Sequence, residues 1–228
     1  MRLGGLMKMT LLDFPGRIAC TVFTLGCGFR CPFCHNASLV THPEEGLTEE
    51  ELFSFLEKRR GVLDGVCVTG GEPLSQPDLP AFLRRIRALG YAIKLDTNGA
   101  HPAALRAVVG EGLVDYVAMD IKNSPQKYAA TVGLPEMPRG VTESAAYLLS
   151  GAVPYEFRTT VVEELHEPGD FLAIGEWIRG AERYFLQRFT DSGDLIGEGM
   201  SAPSVERMEA CLAAVRPYVP AAELRGVK

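Results

Sequence analysis

The sequence predicts an α/β fold, a partial and laterally open (β/α)6 barrel of the TIM type. Six short runs rich in β-branched and apolar residues alternate with stretches whose apolar residues recur at helical spacing. Units of that kind give parallel strands joined by right-handed crossovers, and six of them fall short of the eight that close a barrel. Polar or glycine-rich motifs also follow four successive predicted strands, at the end where a β/α barrel gathers its functional groups.

The elements follow in order. Residues 1–17 read as a loop, with a turn at Pro15-Gly16 and Asp13 placed to cap it. Ile18 to Thr24 is the first strand, with Cys20 packed as a small hydrophobe. Thr48 caps a helix with an acidic first turn, and Leu52, Phe53, Phe55, Leu56 and Leu63 form its apolar side. Gly65 to Thr69 is a buried strand running into Gly70-Gly71-Glu72-Pro73. A helix over Pro77–Leu89 stops at Gly90, and Tyr91–Leu95 is the third strand, ending in Asp96-Thr97-Asn98-Gly99. A helix over 102–109 precedes a strand over Val114–Met119, closed by Asp120-Ile121-Lys122. A short helix around Gln126–Thr131 and one over Thr142–Leu149 lead to a fifth strand, Tyr155–Val162, carrying Arg158. The last units are a helix over Pro168–Arg179, a strand over Tyr184–Phe189 and an amphipathic helix over Ser204–Val215 that buries Cys211.

The chain has 228 residues, 46% hydrophobic and 23% charged, which suits one globular domain over 1–228. Its core is expected over about 18–190, with the C-terminal helix over about 204–216. That length buries a core without disulfides. A net charge of −6 provides no basic face for phosphates, which argues against nucleic acid as a partner. No apolar run reaches the roughly 18 residues that a membrane helix needs, and Met1-Arg2-Leu3-Gly4-Gly5 does not read as a signal peptide. A reducing cytoplasm is the expected compartment.

The chemistry concentrates in Cys27-Gly28-Phe29-Arg30-Cys31-Pro32-Phe33-Cys34, directly after the first strand. A disulfide framework fits poorly, because Cys20, Cys67 and Cys211 are scattered singly. A Cys3His zinc site with His35 or His42 is a second reading, although His35 adjoins Cys34 too closely for easy shared coordination. A Cys31/Cys34 redox pair leaves Cys27 without a role. An iron–sulfur cluster held by three thiolates uses all three and leaves one iron open.

The x3–x2 spacing of these cysteines, with Phe33 before the last, resembles the signature of the radical S-adenosylmethionine (SAM) enzymes. The resemblance implies that Cys27, Cys31 and Cys34 hold three irons of a [4Fe–4S] cluster while the fourth binds SAM. Gly70-Gly71-Glu72-Pro73 is similar to the element that holds the SAM amino group. Asp96, Thr97 and Asn98 fall at the SAM site, and some members bind a monovalent cation there. Asp120 would face that cation, Lys122 the SAM carboxylate or ribose, and Arg158 would lie near SAM. An Asp-x-Pro-Gly element before the cysteines (Asp13 to Gly16) and the ending Cys34-His35-Asn36 resemble the activating enzymes that install glycyl radicals, where the acidic residue lies near the entering glycine. Some of those enzymes carry a histidine after the sixth strand. Here Gln187, Arg188 and Phe189 stand instead, which leaves the adenine contact open.

What the resemblance implies is reductive cleavage of SAM to a 5′-deoxyadenosyl radical, which takes a hydrogen atom from a glycine in a partner enzyme. Leu11-Leu12-Asp13-Phe14-Pro15-Gly16 and the compact length point to anaerobic ribonucleoside-triphosphate reductase as that partner. A one-electron donor such as flavodoxin or ferredoxin is implied as well. Two other readings stand beside this one: a radical SAM enzyme acting on a small molecule, like the 7-carboxy-7-deazaguanine synthases, and a non-catalytic zinc-binding module.

Overall fold

The apolar, β-branched runs do become strands, and in the computed structural model, which describes residues 1–44 and 46–227, they lie in the sheet in chain order. The strands are β1 (Leu3–Thr10), β2 (Ala19–Thr24), β3 (Gly65–Gly70), β4 (Ala92–Thr97), β5 (Tyr116–Asp120), β6 (Tyr155–Val161), β7 (Tyr184–Arg188) and β8 (Ala222–Arg225). The helices are α1 (Ala37–Thr41), α2 (Glu49–Lys58), α3 (Leu79–Ala88), α4 (Pro102–Gly110), α5 (Tyr128–Val132), α6 (Arg139–Leu149), α7 (Pro168–Trp177) and α8 (Val205–Val215). The sheet stays open, with β1 and β8 as its first and last strands. No helix among the described residues is long and apolar enough to cross a membrane.

Two strands depart from the sequence reading. Residues 3–10, expected as loop, form β1, which runs antiparallel to β2 with Leu6 opposite Val22 and Met7 opposite Thr21. β8 follows the last predicted helix and pairs parallel to β7. The helix after Thr48 ends at Lys58, so Leu63 belongs to the loop before β3 rather than to the helical face.

The chain packs as two compact units. The first comprises residues 1–28, 38–97 and 101–118. Within it β2, β3 and β4 are parallel, in the register Thr21–Cys67–Lys94. Thr48 and Glu51 form the full reciprocal cap of α2, which satisfies two of the backbone donors a helix start leaves open. Phe14 packs against Ala19 and Tyr116, the first residues of β2 and β5, and closes that end of the strands. The second unit comprises residues 29–37, 98–100 and 119–228. Its strands β6, β7 and β8 are parallel. Tyr184 and Phe157 are wholly buried between its strands and helices, and Cys211 of α8 is buried with them.

Candidate active site

In the first unit the loop ahead of Cys27 runs beside Gly70-Gly71-Glu72. Gly71 N–H donates to Thr24 O at 2.9 Å, and Glu72 N–H donates to Gly26 O at 2.8 Å. The backbones approach so closely that a Cβ at Gly70 would strike the Thr24 backbone, and one at Gly71 the Gly26 carbonyl. Gly70 also takes φ +115°, a conformation that glycine alone adopts without strain. Glu72 has no exposed surface. Its Oε1 accepts from Leu74 N–H at 3.1 Å, capping the turn Pro73–Ser75, and from Thr97 Oγ1 at 2.8 Å. The motif after β3 is thereby tied to the motif that ends β4.

Asp96 lies on the same face of β4 as Lys94, two residues before it. The Lys94 ammonium pairs with Asp96 Oδ1, and the Cys67 thiol donates to that oxygen at 3.7 Å. Asp13 reaches back to β2, where Thr21 Oγ1 donates to its Oδ2, while Thr10 Oγ1 accepts from the Leu12 and Asp13 amides. Asp13 therefore meets the middle of a strand instead of only closing its own turn.

The second unit carries Cys31, Phe33 and Cys34, and several of its parts hold that segment. Arg30 N–H donates to Val132 O at 2.8 Å, at the end of α5. Gly197 N–H donates to Pro32 O at 2.8 Å, and Ser192 Oγ to His35 O at 3.3 Å. His35 packs against Phe189 with ring centroids 5.4 Å apart. Phe33 meets His166 edge-on at 6.2 Å. His166 is buried. Its Nδ1 accepts from Val162 N–H at 3.1 Å, so the ring proton sits on Nε2, which donates to Lys122 O at 2.9 Å.

The Asp120–Lys122 pair is no exposed ion pair. Lys122 Nζ donates to Asp120 Oδ2 at 2.8 Å and Arg158 Nε to Oδ1 at 3.0 Å. Glu156 and Glu163, the other acids near Arg158 in sequence, pair with Arg225 and Arg207. Burial would raise the Asp120 carboxyl, but the two cations outweigh it and hold it well below the usual carboxylate range. Burial would lower Lys122, but the charge of Asp120, and then that of Cys31, holds it above the usual lysine range. Asn98 Oδ1 accepts from Ala100 N–H at 2.9 Å, which satisfies the turn after β4.

The predicted residues thus fall into two sets. Asp13, Cys27, Gly70, Gly71, Glu72, Pro73, Asp96 and Thr97 belong to the first unit, and Cys31, Phe33, Cys34, Asn98, Asp120, Lys122 and Arg158 to the second. None of the six cysteines is in a disulfide. Among the described residues no three His, Cys, Asp or Glu side chains stand together as a metal site, so the cysteine triad rests on its order in the loop. Comparison with known proteins decides the family. The chain matches the Radical SAM superfamily over residues 21–164.

The chain belongs to the radical SAM superfamily.

Its relatives include a protein of Methanocaldococcus jannaschii assigned provisionally to the glycyl-radical enzyme activating enzymes, 28% identical over 190 residues, 81% of this chain and 78% of the relative. The pyruvate formate-lyase-activating enzyme of Listeria monocytogenes is 28% identical over 191 residues, 78% of this chain and 76% of its own. A crystallised domain of the pyruvate-formate lyase-activating enzyme from Bacteroides vulgatus superposes with a TM-score of 0.58 at 20% identity, covering 71% of this chain and 99% of that domain, and shares the fold. The cofactors of a radical SAM enzyme are a [4Fe–4S] cluster and SAM. The donors present fit a cluster: three thiols in one short loop suit one with an open iron.

Sequence reasoning missed Lys94, Cys67 and His166. Lys94 carried a signal, a lysine in phase with Asp96 along a strand whose alternate positions are Ile93 and Leu95. His166 carried a weaker one, a histidine in the polar loop after β6.

Proposed function

We propose that this radical SAM enzyme activates a glycyl-radical enzyme, and that its partner is anaerobic ribonucleoside-triphosphate reductase. One observation carries the reading: the likeness to an activating enzyme extends over 78% of this chain and 76% of the relative. When bound, the cluster and SAM supply a 5′-deoxyadenosyl radical able to take hydrogen from an unactivated carbon. The chain's own residues position that chemistry. Cys27, Cys31 and Cys34 would hold the cluster, with Phe33 packed against His166. Gly70-Gly71 lets the end of β3 lie against the loop ahead of Cys27, and Glu72 would accept from the SAM ammonium. Lys122, paired with Asp120, would take the SAM carboxylate end, and Thr97 and Asn98 are the other residues that would hold it. Asp13 lies where the glycine of the partner enters. The choice of partner is supported by the Leu11–Gly16 element and by the lack of a second cysteine cluster in the sequence.

The test is electron paramagnetic resonance of candidate glycyl-radical partners after anaerobic incubation with the reconstituted protein, SAM and a reductant such as reduced flavodoxin. A glycyl doublet should appear on the reductase. Cys27→Ala, Cys31→Ala and Cys34→Ala should each abolish it, while Cys20→Ala and Cys211→Ala should not, because burial pushes those two thiols up to about 12 and keeps them as packing groups. A doublet on pyruvate formate-lyase alone would move the partner; SAM cleavage with no protein radical would move the substrate to a small molecule.

A further inference from the structure

Lys94 is a lysine with 1% of its surface exposed, in the middle of β4. It stands opposite Cys67 of β3, which stands opposite Thr21 of β2, so the three side chains share one face of the sheet. Inward layers of β/α barrels are filled chiefly by branched apolar side chains. This layer holds a threonine, a thiol and an ammonium instead. The Lys94 ammonium pairs with Asp96 Oδ1 and lies 3.9 Å from Cys67 Sγ. A buried ion pair stabilises a fold no better than apolar residues of similar volume, so stability alone does not account for the lysine. What it does in this structure is set its ammonium against Asp96.

That charge conflicts with the monovalent cation expected from the resemblance. An ion on Asp96 would sit about 4 Å from the ammonium, and repulsion between unit charges at that distance lowers ion affinity roughly a thousandfold at an effective dielectric near 20. In the second unit Asp120, the other carboxylate expected to face the ion, already holds Lys122 and Arg158. We propose that Lys94 is a tethered counter-cation for Asp96, filling the place of a free monovalent ion, so that SAM binding by this enzyme needs no such ion. The inference rests on the assignment of Asp96 to the SAM site. It makes Lys94 a positioning residue, acting on SAM through the carboxylate it neutralises.

The test measures SAM affinity of the anaerobically reconstituted protein by equilibrium dialysis in choline, sodium, potassium and ammonium chloride at constant ionic strength. Wild type should bind SAM equally, within about twofold, in all four salts. Lys94→Ala should bind at least about tenfold more weakly in choline and recover most of the loss in potassium or ammonium, as a small cation enters beside Asp96. A wild type that requires sodium or potassium overturns the proposal, and this arm needs no variant to fold. Lys94→Ala with wild-type affinity in choline, or with a loss that no small cation restores, overturns it as well. The melting midpoint without SAM supplies a separate readout. It should rise with ammonium or potassium in Lys94→Ala and stay level in wild type. If no form binds SAM in any salt while that cation response persists, the counter-cation stands and the assignment of Asp96 to SAM fails.

Discussion

Glu72 shows how one buried carboxylate can serve the fold and the site together. It was legible as a strand-end acid, but not as the acceptor that joins Leu74 and Thr97. That second role needs β3 and β4 side by side, which local sequence does not state. Glu72→Ala should weaken SAM binding at least about tenfold while iron content stays near wild type, and removal of the cap should cost about 1–2 kcal/mol of stability. Dialysis, iron analysis and a urea melt check the three parts, and equal loss of iron and SAM would exclude the assigned ligand contact. His166 teaches a related lesson. Burial lowers its pKa below the ordinary histidine value of 6.5, against its two backbone hydrogen bonds. The folded value lies below the unfolded one, so the unfolded chain takes up the proton first. Its contribution to stability is therefore full above about pH 6.5 and declines as pH falls toward the folded value. Thermal midpoints of wild type should drop between about pH 7 and 5, and His166→Gln, which cannot titrate, should drop less.

At the scale of elements, the strands and helices that bury apolar faces were readable because period and composition agree. β2, β3, β4 and β7 fall within a residue or two of their predicted spans. The motifs at strand ends were readable for the same reason: glycine and acid at the end of an apolar run break its pattern. What could not be read was how closely the elements meet. The Gly71 backbone lies against the Gly26 carbonyl just ahead of Cys27, a contact between residues 45 apart in sequence. Gly71→Ala should force that strand end and the loop before Cys27 apart. Overpacking of this kind costs about 1–3 kcal/mol, and the movement should lower iron incorporation and SAM affinity together. Iron analysis and dialysis on the variant check this, and a Gly71→Ala protein that holds full iron while losing only SAM would show that the two segments move independently.

For the whole molecule, the sequence disclosed the open α/β architecture but neither end strand. β1 is written Leu3-Gly4-Gly5-Leu6-Met7-Lys8-Met9-Thr10, with two glycines and no β-branched residue before Thr10, so propensity argued for loop. Pairing with β2 overrides it. β8 has 4 residues, too few for a period to register. It pairs with β7 along its length, and one of its side chains reaches further. Arg225 reaches Glu156 of β6 with two hydrogen bonds, at 3.1 and 3.2 Å, and lies 3.2 Å over the Phe185 ring of β7. The Glu156 side chain is 2% exposed and that of Arg225 is 37% exposed, so the pair stands between a buried bridge and a surface one. Arg225→Ala should therefore cost about 2–3 kcal/mol, more than an exposed pair and less than a fully buried one. The double replacement Glu156→Gln with Arg225→Ala should recover much of that loss, because an amide buried at that position carries a smaller desolvation cost than a carboxylate deprived of its fork. Urea melts of the two single variants and the double variant close the cycle. Additive losses would mean that β8 is held by its backbone ladder and the ring contact, with the ion pair contributing little.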